Sequence, residues 1–269
     1  MNMYEKLLTL ASQNKYYEIP IQHDTVWSLK TPHALISSVS GFGKSYFVTY
    51  LISIMSIKNN ILYFADPKRS DLASLAAFMP QDRVAWESED IQKMLKNVVD
   101  IMMKRYEYMN AECQRKGIIH SDFTDFGLPA VVVIIEEMAA FISTLDKKSR
   151  ESFEADIKSI TLQGRQAGVN LCLIMQNPGT QNITTESRSQ MGFRVYLGDG
   201  NIERRMIFGD GFTYSKRSYI PGQGLYMIAG KTLQPEYIET PKLDKSQLPK
   251  ILKQALKNQF NISLFPPTT

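Results

Sequence analysis

Gly41-Phe42-Gly43-Lys44-Ser45 puts two glycines, a cation and a hydroxyl into five consecutive positions. That combination suits an anion with several oxygens. Backbone N–H groups can turn inward around phosphate oxygens where glycines allow the shape, and a helix starting at the lysine adds its positive end. The usual pattern is G-x-x-x-x-G-K-[ST], but Ser38 stands where the first glycine is expected. Ser38 is the position farthest from the lysine, at the turn from strand to loop. A small residue is tolerable there if its backbone angles are not glycine-like. Ser40, Gly41, Phe42, Gly43, Lys44, Ser45 and Tyr46 are therefore the candidate ATP cradle. Lys44 would meet the β- and γ-phosphates, and the Ser45 hydroxyl would ligate Mg²⁺.

A phosphate loop that supports hydrolysis needs acids at the end of a buried strand. "VVVIIEEMAAF" supplies two, Glu136 for the magnesium shell and Glu137 as the catalytic base. The alternative is a solvated strand end. Gln176 closes another apolar run, "LCLIMQNP". Its amide could sense the γ-phosphate, or it could be a hydrogen-bonded strand cap.

The elements that must hold these residues alternate. "HALIS", "NILYFAD", "RVAWES", "AVVVIIEE", "VNLCLIMQ", "FRVYLG" and "GLYMIAG" read as strands. A helix follows Lys44. A second is predicted over residues 91–115, where Ile91, Met94, Leu95, Val98, Met102 and Met109 recur at helical spacing. Phe153, Ile157, Ile160 and Ala167 mark a third, ended by Gly168. Alternating strands and helices imply an α/β domain with a mostly parallel sheet. The predicted division is an N-terminal helix and lead-in at 1–24, one nucleotide-binding domain at 25–240, and a C-terminal helix and tail at 241–269.

The 269 residues give ample material for a core, and 22% charged with 43% hydrophobic residues is ordinary for a globular protein. A net charge of +4 is compatible with nucleic-acid binding without arguing for it. Cys113 and Cys172 are far apart, and His23, His33 and His120 have no partner at ligand spacing. No metal cluster or disulfide framework is expected. The longest apolar run, "AVVVII", is far too short to span a bilayer, and no leader peptide is visible. These features predict a cytoplasmic chain with no transmembrane segment.

With these residues assembled, the chain resembles the motor domain of the FtsK/SpoIIIE family of DNA translocases. The likeness runs through "LKTPHALISSVSGFGKSYF", "FADPKRSDL", "MMKRYEYMN", "VVVIIEEMAAF", "ITLQGRQAGVNLCLIMQNP", "FRVYLGDGNIERRMIFGDG" and "YIPGQGLYM", roughly residues 25 to 240. Departures are Ser38 for glycine, Glu136 for the more usual aspartate, and Asn177 where arginine is frequent. The resemblance implies a RecA-like P-loop ATPase fold, ATP with Mg²⁺, double-stranded DNA as partner, and a homo-hexameric ring. It also implies an arginine reaching the neighbour's site: Arg205 by motif matching, with Arg204 and Arg194 as further candidates. DNA-tracking loops would fall at Lys216, Arg217, Gln223 and Lys231. The short outline fits motors of mobile elements, such as conjugation coupling proteins, with a relaxase, replication-initiator or membrane-anchored partner. Alternatives are a packaging or single-stranded DNA transfer motor, a P-loop small-molecule kinase, and an assembly ATPase that does not move DNA.

Overall fold

The computed structural model describes residues 2–119, 121–176, 178–179, 183–214 and 217–259. Helix α1 (Met3–Ser12) leads into strands β1 (Glu18–Gln22) and β2 (Thr25–Ser28), an antiparallel hairpin of their own. There follow β3 (Ala34–Ser38), α2 (Lys44–Ile57), β4 (Ile61–Ala65), β5 (Val84–Ala85), α3 (Ser88–Lys116), β6 (Val131–Glu136), α4 (Met138–Ile142) and α5 (Lys147–Ala167). The chain continues through β7 (Val169–Met175), α6 (Thr185–Ser189), β8 (Phe193–Leu197), α7 (Asn201–Phe208), β9 (Gln223–Ile228), β10 (Glu236–Glu239) and α8 (Leu248–Gln259).

One eight-stranded sheet has the order β10-β9-β8-β3-β7-β6-β4-β5. Strands β8, β3, β7, β6, β4 and β5 are parallel, and β9 and β10 extend the β8 side antiparallel. The continuous apolar runs of β6 and β7 are explained by this placement. Both are inner strands, and residues 131–135 and 169–175 are buried throughout. The expected face of α3 is buried at Ile91, Met94, Leu95, Val98, Met102 and Met109. Gly168 ends α5 at φ +69°, and a Cβ there would lie 2.4 Å from the Phe123 ring. Both the left-handed angle and the close ring demand glycine.

Two features were not legible in the sequence. The β1–β2 hairpin turns at His23-Asp24, so the boundary expected at residue 24 falls inside a hairpin. Ile19, Ile21 and Trp27 are fully buried, and Trp27 stacks on Phe193 of β8 at 4.8 Å. Helix α8 likewise buries Ile251 and Leu252 in the same apolar cluster as β3 and β6. The lead-in and the C-terminal helix thus share one core with the sheet. The strand expected at 83–88 contracts to the two residues of β5 at the sheet edge.

His33 has a structural role. Its ring Nδ1 accepts the Leu171 N–H at 3.0 Å, and Nε2 lies 3.1 Å from the Thr161 carbonyl, which fixes the Nε2–H tautomer. The residue stitches the start of β3 to β7 and α5, and burial pushes its pKa down to about 4. Both cysteines are free. Among the described residues no helix is long and apolar enough to cross a membrane.

Candidate active site

Four neighbouring parallel strands deliver their carboxyl ends to one side of the sheet. The order β3-β7-β6-β4 brings together the glycine loop after β3, Gln176 after β7, Glu136 and Glu137 at the end of β6, and Asp66 after β4. This crevice at strand ends is where open α/β sheets bind ligands. Chain segments more than a hundred residues apart in sequence meet there because the strand order is permuted.

The loop has the backbone its sequence requires. Gly41 and Gly43 take φ +80° and +87°, and Gly43 caps α2, which starts at Lys44. A Cβ on Gly43 would lie 3.2 Å from the Gly222 nitrogen, a tight contact added to the left-handed angle. Gly222 N–H donates to the Phe42 carbonyl at 2.9 Å, propping the loop from the start of β9. Ser38 lies inside β3, paired with Leu197 of β8, and is not among the residues with positive φ. A serine is therefore accommodated where the usual pattern has glycine.

Glu137 is the hub. Its Oε1 accepts the Gln176 N–H at 2.6 Å and lies 3.8 Å from Lys44 Nζ, and its Oε2 lies 3.4 Å from Lys68 Nζ. The Glu137 backbone is left-handed, φ 51°, with its N–H on the Ile174 carbonyl at 2.8 Å. A non-glycine residue there costs on the order of 1–3 kcal/mol, a strain that clusters at functional sites. Glu136, the preceding residue, accepts from Ser70 Oγ at 3.3 Å. Ser70 Oγ also lies 3.1 Å from both oxygens of the fully buried Asp66. Burial raises the Glu136 pKa; the Lys44 charge opposes that, and Asp66 adds to it. Burial lowers the Lys44 pKa, countered by Glu136 and Glu137.

Lys44, Ser45, Glu136 and Asp71 line one cavity of about 90 Å³ against α2 and the 73–77 turn. One hydroxyl and one carboxylate suit Mg²⁺, which takes few protein ligands and fills its shell with water and substrate phosphates. The described residues hold no cluster of three or more His, Cys, Asp or Glu that would cage a metal by itself.

The other expected residues divide. Gln176 enters the site through its backbone. Its carbonyl accepts from Ser37 Oγ at 3.2 Å, while its side-chain amide makes no hydrogen bond to a described residue. Phe42 is half-buried, and Ser40 and Tyr46 are exposed beside the loop. Arg205 is exposed on α7 and forms no ion pair among the described residues. Arg204 does not qualify as a residue that reaches out. It is 2% exposed, and its Nη2 donates to the Gly198 carbonyl at 2.6 Å and to Asp199 Oδ1 at 3.1 Å. Arg194 is half-buried and donates to the Ile207 carbonyl at 3.2 Å.

The three DNA candidates among the described residues are not brought together. Lys216 lies outside the described residues. Arg217 is exposed, its guanidinium 4.3 Å from the Tyr237 ring centre. Gln223 opens β9 at the phosphate end, its carbonyl accepting the Gly198 N–H. Lys231 lies beyond the other end of β9 and donates to the Val26 carbonyl at 3.1 Å. The sequence reading gave no site role to Asp66, Lys68, Ser70 or Gly222. A signal was present for the first three, since "DPKRSD" packs polar residues directly behind the apolar run of β4. Gly222 carried none, because its role depends on a contact across the sheet.

No protein-family model matches the chain. The chain is 32% identical over 194 residues to the FtsK domain-containing protein YdcQ of Bacillus subtilis, covering 71% of this chain and 40% of the relative. It is 24% identical over 275 residues to the DNA translocase FtsK of Corynebacterium glutamicum, covering 86% of this chain and 29% of that protein. The chain therefore spans less than half the length of these curated relatives. Among solved structures, the conjugation coupling protein TcpA of pCW3, in a monomer form with ATPγS, superposes with a TM-score of 0.66 at 17% identity, covering 90% of this chain and 71% of TcpA. ATPases 2 and 3 of EssC from Geobacillus thermodenitrificans give 0.65 at 14% identity, covering 92% and 50%. These superpositions share the α/β fold with its parallel central sheet.

Proposed function

Because the chain belongs to the FtsK/SpoIIIE family, we propose that it is an ATP-hydrolysing DNA translocase domain. The observation that carries this is the meeting of the Lys44 loop after β3 with Glu137 after β6, strands on either side of β7, with Lys44 Nζ 3.8 Å from Glu137 Oε1. The loop's N–H groups and Lys44 bind the β- and γ-phosphates. Lys44 exchanges its contact with Glu137 for the phosphates, and Lys68 stays beside Glu137 to hold its carboxylate in place. Glu137 takes the proton of the attacking water. Ser45 and Glu136 would hold Mg²⁺, which would supply positive charge to offset that of the phosphates.

Several copies form a ring, a homo-hexamer by family likeness, in which Arg205 of one copy reaches the γ-phosphate held by the next. Double-stranded DNA is the track, gripped through its phosphates from Arg217 and its neighbours. Transfer of a mobile element's DNA fits the likeness to a conjugation coupling protein. The test is the ATPase rate with and without duplex DNA. Strong stimulation supports a motor, and greater stimulation by single strands would make it a single-strand transfer motor. Phosphate transfer to a nucleoside or metabolite, without stimulation, would make the chain a kinase.

A further inference from the structure

Away from the phosphate loop, four flat groups form a continuous stack between the segment at residues 217–222 and helix α7. The Arg217 guanidinium lies over the Tyr237 ring of β10 at 4.3 Å. Tyr237 stacks on Tyr219 with ring centres 6.2 Å apart and planes 17° apart. Tyr219 carries the buried Arg204 guanidinium at 4.8 Å. Arg204 is fixed by the Gly198 carbonyl and Asp199, and both Asp199 oxygens accept the Tyr219 N–H, at 3.1 and 3.2 Å. Arg205, the exposed arginine of α7, is the next residue. The same segment has a second anchor at its far end, where Gly222 N–H holds the Phe42 carbonyl of the phosphate loop.

A lone arginine over a tyrosine is an ordinary surface contact. Here cation, ring, ring and cation follow one another across three separate parts of the chain, and the inner end is buried and hydrogen-bonded. Tyr219 enters the stack through its ring and backbone N–H. We propose that Tyr219 and Tyr237 are positioning residues that couple the Arg217 segment to α7, so that an anionic DNA strand drawing on Arg217 shifts the placement of Arg205. The coupling rests on the chain being a DNA-stimulated ATPase. Attraction between stacked planar groups falls off steeply with small displacements, so the four move together or the stack breaks.

The test compares the native chain with Tyr219→Leu, Tyr219→Phe and Tyr237→Leu, reading ATPase rates without and with saturating duplex DNA, and thermal midpoints for folding. Tyr219→Leu and Tyr237→Leu should keep the unstimulated rate within about twofold and lose about fivefold or more of the stimulation, the range of ordinary site-to-site coupling. Tyr219→Phe keeps the ring and should behave as native. Tyr237 is half-buried, so Tyr237→Leu decides the question if Tyr219→Leu does not fold. Native stimulation in Tyr237→Leu and Tyr219→Leu, or equal losses in Tyr219→Phe and Tyr219→Leu, overturns the coupling alone. A native chain that DNA does not stimulate removes the motor function itself, and the coupling with it.

Discussion

The phosphate end of the sheet and its β8–β10 edge use charge in opposite ways. At the phosphate end, charges meet their opposites within the chain: Lys44 and Lys68 flank Glu137, whose side chain is 13% exposed. Along the edge, cations range from buried to exposed, and Arg217 is exposed with its guanidinium over the Tyr237 ring. Arg204 is buried against Asp199, and Arg194 is committed to a carbonyl. Arg205 and Arg217 are exposed. A buried, balanced cluster can do chemistry inside one copy, because low dielectric strengthens each contact. Exposed cations contribute little to stability alone. Under the proposed function they would meet an anion brought from outside, on another copy or on DNA.

The largest effects should come from breaking the self-contained end. Lys44→Ala removes the cation facing the phosphates and should abolish ATP hydrolysis in the purified protein. Glu137→Gln should retain nucleotide binding, followed by fluorescence of a labelled ATP analogue, and lose turnover by at least about 10². Glu136→Gln should instead weaken the Mg²⁺ dependence. Normal turnover in Glu137→Gln beside a dead Glu136→Gln would reverse the two roles.

Next comes the edge. Arg205→Ala should bind ATP nearly normally, keep its thermal midpoint, and lose about 10³-fold or more in turnover, as expected for an arginine acting in trans. Mixing it with Glu137→Gln should restore part of the activity, because some interfaces then carry both intact groups. Two variants of the phosphate end, Lys44→Ala and Glu137→Gln, fail in the same half-site and should restore far less. Arg204→Ala should behave differently from its neighbour, losing about 1–3 kcal/mol of stability by leaving the Gly198 carbonyl without its donor. If mixing shows joint assembly without recovery, the exposed arginine of α7 is not a trans group.

The two regions also differ in how far the sequence reveals them. The phosphate loop, the two acids at the end of β6 and Gln176 each sit at the end of a contiguous apolar run, so those runs alone place them at strand ends. That Gln176 would contribute its backbone, and that Lys68 would flank Glu137, depends on which strands are neighbours. Strand order is not written in local pattern. The same limit hid the β1–β2 hairpin, whose Trp27 is core only because Phe193 lies against it. On the edge, Arg204 and Arg205 are adjacent and identical in type, and only the pitch of α7 decides which is buried.

Beneath both regions, His33 provides a pH test. Its pKa falls from the ordinary 6.5 to about 4 on burial. Between those values the unfolded chain takes up a proton that the folded chain refuses. Stability is then fully present above about 6.5 and declines as pH falls toward 4, by about 1.4 kcal/mol per unit and about 3 kcal/mol in all. Protonation would also destroy the acceptor that holds the Leu171 N–H. Denaturant midpoints taken from pH 7 to 4 should show this loss in the native chain. His33→Gln should be less stable at pH 7 and have a shallower slope. An unchanged slope would mean that His33 titrates normally.

The smallest effect, and the one that most sharpens the edge, concerns where DNA lies. The Arg217 guanidinium lies over Tyr237, which pairs with Leu225 inside β9, and Lys231 follows the strand, so the two cations stand at different places along it. A duplex running along β9 can meet both, while one crossing it can meet only one. Removing a cation that neutralises one phosphate should flatten the log-affinity against log-salt slope by about 0.9. If DNA runs along the strand, Arg217→Ala and Lys231→Ala each flatten the slope by about that amount and the double variant by about twice as much. Stimulated turnover should fall chiefly for Arg217→Ala, which breaks into the aromatic stack. Lys231 is already held to the Val26 carbonyl, so its variant should weaken grip without uncoupling. A silent Lys231→Ala with a full effect from Arg217→Ala would confine DNA to the end of β9 nearest the phosphate loop. Two silent variants would remove this edge as the DNA track while leaving the chemistry of the phosphate end intact.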